Sequence, residues 1–224
     1  MNNVKLSKQT LEILKNFASI NSNILVKPGN VIETISSVKN VMVQATVAET
    51  FDTQFGIWDM NKFLGTVSLF SEPTFNFGEK SVEISDESGS SSVTYYYSEP
   101  RLLTVPTKEL NMPPIVVSFD LTTKVFSELM RASSVMQLQD LSARSTSDGN
   151  IELVVLDRND SGSNKYSVVV GKNKTNADFE FFFKVENLKL LPGDYRVEVT
   201  DKVVSQFSHS DVDLTYWIAL ESDS

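Results

Sequence analysis

Leu6-Ser7-Lys8-Gln9-Thr10-Leu11-Glu12-Ile13-Leu14-Lys15-Asn16-Phe17-Ala18 reads as a short amphipathic helix with a basic polar face. Leu11, Leu14 and Ala18 recur at helical spacing and are expected to face a core. Lys8 and Lys15, with Glu12 between them, fall on one stripe of the opposite face. The pattern returns a domain-length later, where Lys124, Glu128 and Arg131 repeat the spacing beside Val125, Phe126, Leu129 and Met130. The whole chain leans the other way, with 20 Lys and Arg against 29 Asp and Glu and a formal charge of −9. Cations kept on helix faces in both halves of an acidic protein imply a positive surface confined to one place. A polyanion is the first ligand such a surface suggests.

Outward from the first helix, Ile24-Leu25-Val26, Val41-Met42-Val43 and Phe55-Gly56-Ile57-Trp58 read as strands, with a turn at Pro28-Gly29-Asn30. A second helix is expected near Met60 to Phe70, with Phe63, Leu64 and Val67 on one side. Strands resume at Phe75-Asn76-Phe77, Val82-Glu83-Ile84 and Val93 to Tyr97, the last two joined by a hairpin loop from Ser88 to Ser92. Residues 98 to 114 hold four of the seven prolines and read as an extended, semi-rigid connector. The second half then offers a strand at Ile115 to Phe119, the second basic helix, and strands at Ile151 to Leu156, Tyr166 to Val170 and Phe179 to Phe183. A short helix near Val185 to Leu191 ends at Pro192-Gly193, and three closing strands follow at 195–199, 204–207 and 214–220. The order helix, strands, helix, strands thus occurs twice. The expectation is an α+β chain of two similar domains, 1–98 and 115–224, joined by a connector at 99–114. Each domain is an antiparallel sheet with two helices on one face.

Composition bounds the function. Apolar residues at 41% and charged residues at 22% are ordinary for a globular protein, and either half is long enough for its own core. A pI near 4.7 argues against a protein that coats nucleic acid over its whole surface, but leaves room for a local basic lining. With no cysteine there are no disulfides, zinc–thiolate sites or thiol catalysis. The start has no apolar signal core and no apolar run nears the roughly 18 residues of a membrane span. A soluble, intracellular protein with no membrane contact is expected.

Catalysis finds little support. His209, the only histidine, sits between serines and reads as an exposed surface residue rather than a general base. Ser36 and Lys39 match a serine–lysine spacing with no companion motif. Asp157 to Gly162 begins like a calcium loop, but its twelfth position is Val168, so a hairpin turn explains it better. Gly162 and Gly171-Lys172 are too far apart for a phosphate-cradling loop, and Asn173 stands where Ser or Thr is needed. Tyr95-Tyr96-Tyr97 could stack bases on an open sheet, but no cation is interleaved with it, so aromatics alternating between core and surface is the preferred reading. The chain is read as non-enzymatic, with no catalytic residue, metal or cofactor.

Several segments carry a resemblance. Lys5-Leu6-Ser7-Lys8, Leu14 to Ser22, Asp59-Met60-Asn61-Lys62-Phe63-Leu64-Gly65 and Ser68-Leu69 resemble the sliding clamp of T-even-like bacteriophages, the DNA polymerase processivity factor. So do Asn187 to Tyr195 and Ala219 to Ser224. The middle, from about 72 to 178, is diverged. The resemblance implies the fold of the proliferating cell nuclear antigen family: a homotrimeric ring of six similar domains, helices lining the hole and sheets forming the wall. It implies a role in DNA replication, in which the ring encircles duplex DNA without reading sequence, tethers the polymerase and is loaded by an ATP-dependent clamp loader. Late transcription factors are further implied partners, and the cytoplasm of the infected bacterial host is the implied location.

The resemblance and the helical spacing together assign Lys5, Lys8, Lys15, Lys62, Lys124, Arg131 and Lys189 to the DNA-facing surface. The resemblance implies that subunits join through edge strands, and element order offers as candidates one carrying Val93, Tyr95 and Tyr97 and another carrying Tyr166, Val168 and Val170. The resemblance further implies a pocket beside the connector for the polymerase's C-terminal peptide, expected at Leu103 and Val105 with Trp217 and Ile218 behind them. Two other readings compete. A viral structural or assembly protein with a duplicated β-rich domain would not need cations on the two first helices. A single-strand binding protein would need them among exposed sheet aromatics.

Overall fold

The computed structural model describes residues 4–107, 110–160, 162–175, 177–201 and 203–222. The chain divides into two compact units, Met1–Glu109 and Leu110–Ser224.

In the first unit, α1 (Lys8–Ile20) starts at Ser7, whose hydroxyl accepts from the Thr10 amide at 3.1 Å. That bond satisfies one of the free donors of the first turn, which is why the helix begins after Ser7 rather than at Leu6. The buried stripe is Thr10, Ile13, Leu14 and Phe17. It is rotated from the expected one, leaving Leu11 and Ala18 half-buried, because Ile13 and Phe17 bring more apolar area to the core. Strands β1 (Ile24–Val26) and β4 (Phe55–Ile57) pair antiparallel, as do β2 (Gly29–Ile35) and β3 (Val41–Phe51). Helix α2 (Met60–Val67) is capped by Asp59, whose carboxylate accepts from the Lys62 amide at 2.9 Å. It buries Met60, Phe63 and Val67 and packs on α1. A meander of β5 (Thr74–Phe77), β6 (Ser81–Ser85) and β7 (Ser92–Tyr96) completes the unit. Phe51, Phe55, Phe75 and Phe77 form an aromatic cluster with centroids 4.9 to 6.0 Å apart.

The start of the connector is neither extended nor loose. Pro100–Leu102 forms a 3-10 turn. Before it, the Ser98 amide donates to the Gly56 carbonyl at 2.9 Å. After it, Leu103 lies so close over Gly56 that a Cβ there would sit 2.6 Å from the leucine Cδ1. The Thr104 amide donates to Asn23 Oδ1 at 2.9 Å, and its carbonyl accepts from Asn21 Nδ2 at 3.2 Å.

In the second unit, β8 (Ile115–Leu121) leads into α3 (Thr123–Met136), which starts at Thr122 and ends at Gln137 in the left-handed region, φ 57°. Strands β9 (Asp140–Ser145), β10 (Asn150–Leu156), β11 (Tyr166–Lys172) and β12 (Glu180–Lys184) form one antiparallel sheet in the order β11-β10-β9-β12. Strands β13 (Tyr195–Thr200), β14 (Val204–His209) and β15 (Leu214–Ala219) join β8 in the order β15-β14-β13-β8. The expected second helix of this half is only a 3-10 turn, Val185–Asn187. Leu188 and Leu190 after it are both buried, and Pro192 bars a helix from running on past this loop.

His209 is not a free surface residue. Its Nδ1 accepts the amides of Asp211 and Val212 at 3.0 and 3.3 Å, which assigns the ring proton to Nε2, 3.3 Å from the Pro192 carbonyl. It pins the β14–β15 turn against Gly193.

Candidate nucleic-acid interface

In the first unit, the exposed stripe of α1 is Lys8, Glu12, Lys15 and Ser19, spaced so that all four share one face. In the second, the exposed stripe of α3 is Lys124, Ser127, Arg131 and Ser134, with Val135 fully in solvent beside them. Among the described residues Lys8, Lys15 and Arg131 have no carboxylate within ion-pair distance. Lys124 reaches Glu128 only at 4.0 Å, a solvent-screened contact worth little. Lys62 is exposed on α2 but lies 3.6 Å from its own cap Asp59. Lys5 is exposed too, yet it pairs with Glu87 at 2.9 Å, which raises its pKa and lowers that of Glu87. Its charge is therefore already answered within the unit. Lys189 is exposed on the loop after the 3-10 turn.

None of the three helices carries an acid in its first turn, although the dipole favours one there. The acids come from elsewhere. Glu49 on β3 accepts from the Ser7 amide and from the Thr10 hydroxyl, the latter at 2.5 Å. Burial pushes its carboxyl up, and these hydrogen bonds more than offset that, leaving it below its ordinary value. Asp194, just before β13, takes the Thr123 amide at 2.7 Å and its hydroxyl at 2.9 Å. The Thr123 amide is the main cause of its lowered pKa. Sequence reasoning missed both acids because neither is near its helix in the chain.

The two assigned contact strands, β7 and β11, each end their sheets, paired on one side only. Their assigned side chains do not point away from the chain. Val93, Tyr95, Tyr97, Tyr166, Val168 and Val170 are half-buried, whereas Tyr96 and Val169 project outward, 75% and 55% exposed. Tyr95 packs edge-on to Phe63 at 5.3 Å, and Tyr97 stacks on Phe55 at 5.4 Å. Burial raises the Tyr97 hydroxyl to about 12. What these strands leave open is backbone.

The assigned peptide pocket is corrected in part. Leu103 is buried against Gly56 and Ile218 is wholly buried in its own sheet, so neither presents a surface. Val105 and Trp217 are half-buried, and the Trp217 indole donates to Gln206 at 2.9 Å.

Comparison with known proteins identifies the family. Residues 5–99 match the family described as DNA polymerase processivity factor, and residues 118–222 match gp45 sliding clamp, C terminal. The sliding clamp of Escherichia phage RB69 is 31% identical over 229 residues, covering 99% of this chain and 98% of that protein. The chain belongs to the sliding clamp family of T4-like bacteriophages. The clamp of Vibrio phage KVP40 is 28% identical, covering 98% of this chain and all of the relative. Among solved structures, the proliferating cell nuclear antigen of A. fulgidus, with the C-terminal region of FEN-1 bound, aligns over the whole of both chains. Its TM-score is 0.72 at 12% identity, which establishes the shared fold. That of Entamoeba histolytica covers 98% of each chain, also at 0.72, with 9% identity. As a sliding clamp, the protein is a processivity factor of DNA replication. It works as a ring around duplex DNA that holds the polymerase to its template.

Proposed function

We propose that this clamp is a non-enzymatic homotrimer that meets the DNA backbone with the exposed stripes of α1 and α3. The observation that carries this reading is the repeated stripe itself. Lys8 and Lys15 in one unit, and Lys124 and Arg131 in the other, have equal spacing on faces free of first-turn acids. Scattered cations facing phosphates give a shallow, sequence-independent potential, which suits a protein that must slide. Lys62 and Lys189, both exposed, are assigned to the same role, and Lys5 contributes least because Glu87 holds it.

The clamp domains are 1–98 and 115–224, joined by a connector at 99–114; the first family match ends at residue 99 and the second begins at residue 118. Subunits join by backbone pairing between β7 of one chain and β11 of the next, which covers both strand ends of the sheets at once. Partners are the polymerase, an ATP-dependent clamp loader and late transcription factors, in the cytoplasm of the infected host. The peptide of the polymerase docks beside the connector, where Val105 retains exposed surface. No catalytic role is needed, and the sole histidine is engaged in holding a turn.

Native mass tests the assembly. A species near three times 25.0 kDa is expected. Val169→Pro on β11 should shift it toward the monomer while leaving each unit folded. A parent that remains monomeric at every concentration, or a variant that stays trimeric, would overturn the assembly as described.

A further inference from the structure

We propose that Glu49 and Asp194 are positioning residues for the DNA-facing cations. They hold the first turns of α1 and α3 from outside those helices. The inference rests on the reading that those helix faces meet DNA.

In a capping box, a Glu at the third helical position reaches back to the amide of the cap residue. In α1 that position is Thr10, which cannot play the part. Glu49 takes it over from β3, accepting the Ser7 amide with one oxygen and the Thr10 hydroxyl with the other. Ser7 Oγ lies 2.9 Å from Thr10 Oγ1, so the cap, the third position and the strand form one closed network. In α3 the free amide of Thr123 has no intrahelical acceptor, and Asp194 takes it together with the Thr123 hydroxyl on a single oxygen. The same device is built twice from different parts, an acid on a strand in one unit and an acid in a loop in the other.

Its placement is specific to the cations. Lys8 directly follows Ser7, and Lys124 directly follows Thr123. Each anchored residue is therefore the chain neighbour of the first cation of its stripe. Supplying the carboxylate from outside each helix satisfies a backbone donor at the helix start and the helix dipole without adding a first-turn acid to the exposed stripe. A carboxylate near a phosphate-binding face has a second, opposite effect, since its charge repels DNA. The two effects differ in sign, and that makes the role measurable.

The test uses the full-length clamp and a fluorescent linear duplex, with binding measured over a salt series. Glu49→Ala and Asp194→Ala remove the anchors, while Glu49→Gln and Asp194→Asn keep an acceptor and remove the charge. Lys8→Gln and Lys124→Gln are the references. With native mass unchanged, each alanine variant is expected to bind DNA more weakly and to lose about one unit of log–log salt slope per chain, as one phosphate contact per chain is lost. First-turn amides of the affected helix should exchange faster. The Gln and Asn variants should keep the parental slope. Alanine variants that bind as tightly as the parent, or more tightly, would show that the acids act only by charge and overturn the inference. If an alanine variant does not fold, the Gln or Asn variant decides: a slope lowered as in the lysine references overturns it. Lysine references that bind like the parent would refute the DNA-facing reading itself, and this inference with it.

Discussion

The cations assigned to the DNA-facing surface fall into two electrostatic classes, and exchanging them for glutamine should separate the classes by salt dependence. Lys8, Lys15 and Arg131 have no carboxylate within reach among the described residues, whereas Lys5 lies 2.9 Å from Glu87 and Lys62 lies 3.6 Å from Asp59. A protein cation that contacts a phosphate releases about 0.9 of a counterion, so losing all three of the first class lowers the log–log slope by up to ~2.7 per chain. Over a fourfold rise in salt that is a difference of about 40-fold in how far affinity falls. Water between side chain and phosphate reduces this, so it is an upper bound. Lys5→Gln with Lys62→Gln removes charges already answered by neighbours and frees two acids, so binding weakens while the slope changes by less than about one unit. The assay is equilibrium binding of the purified clamp to a linear duplex at several salt concentrations, with native mass checked for each variant. If the Lys5 and Lys62 pair flattens the slope as much as the triple set, the division by ion pairing is wrong.

Other expectations follow from packing and titration. Phe17→Ala, at a position only 1% exposed between α1 and its sheet, should cost about 3–5 kcal/mol in chemical denaturation; a loss under about 1 kcal/mol would contradict its place in the core. Gly193→Ala would put a Cβ 2.0 Å from His209 Nε2 at φ 159°, so its melting temperature should fall, and adding His209→Ala should recover part of the loss. The Glu49 carboxyl lies below its ordinary value of 4.5, so its stabilising effect is present above that value and lost as pH falls through the lower, folded one. Glu49→Gln should therefore flatten the fall in stability as pH drops below 4.5, and equal curves for parent and variant would refute the linkage.

The helices and most strands were legible because their signals are local. Apolar residues at helical spacing marked α1 and α3, and β-branched and aromatic runs marked β10, β12 and β13. Strand β3 was read only at its first three residues, although Val43, Ala45 and Val47 alternate inward along its middle. Alanine carries too little apolar weight to announce a strand. Strand β9 was missed because Asp140, Ser142 and Arg144 are polar. Asp140 is nonetheless buried, held by Lys184 at 2.6 Å across the sheet, a partner 44 residues away. The same distance in sequence hid Glu49 and Asp194 from the helices they hold. The cations were found because a face is a periodic object; the pairing of Lys5 with Glu87 joins residues 82 apart and has no period to read. The burial of Leu103 was hidden for a related reason, since nothing around it in sequence shows that Gly56 leaves a hollow for it.

The stitched start of the connector bears on how such chains vary in length. Between Ser98 and Thr104 the backbone is tied at both ends to the first unit, through Gly56 on one side and through Asn21 and Asn23 on the other, with a leucine seated on a glycine between them. An inserted or deleted residue within that span would pull at least one tie out of register. One placed beyond Thr104 meets none of these three ties. Length variation among chains built this way should therefore gather on the far side of Thr104, where lineages can lengthen or shorten the link without disturbing either the glycine seat or the asparagine pair.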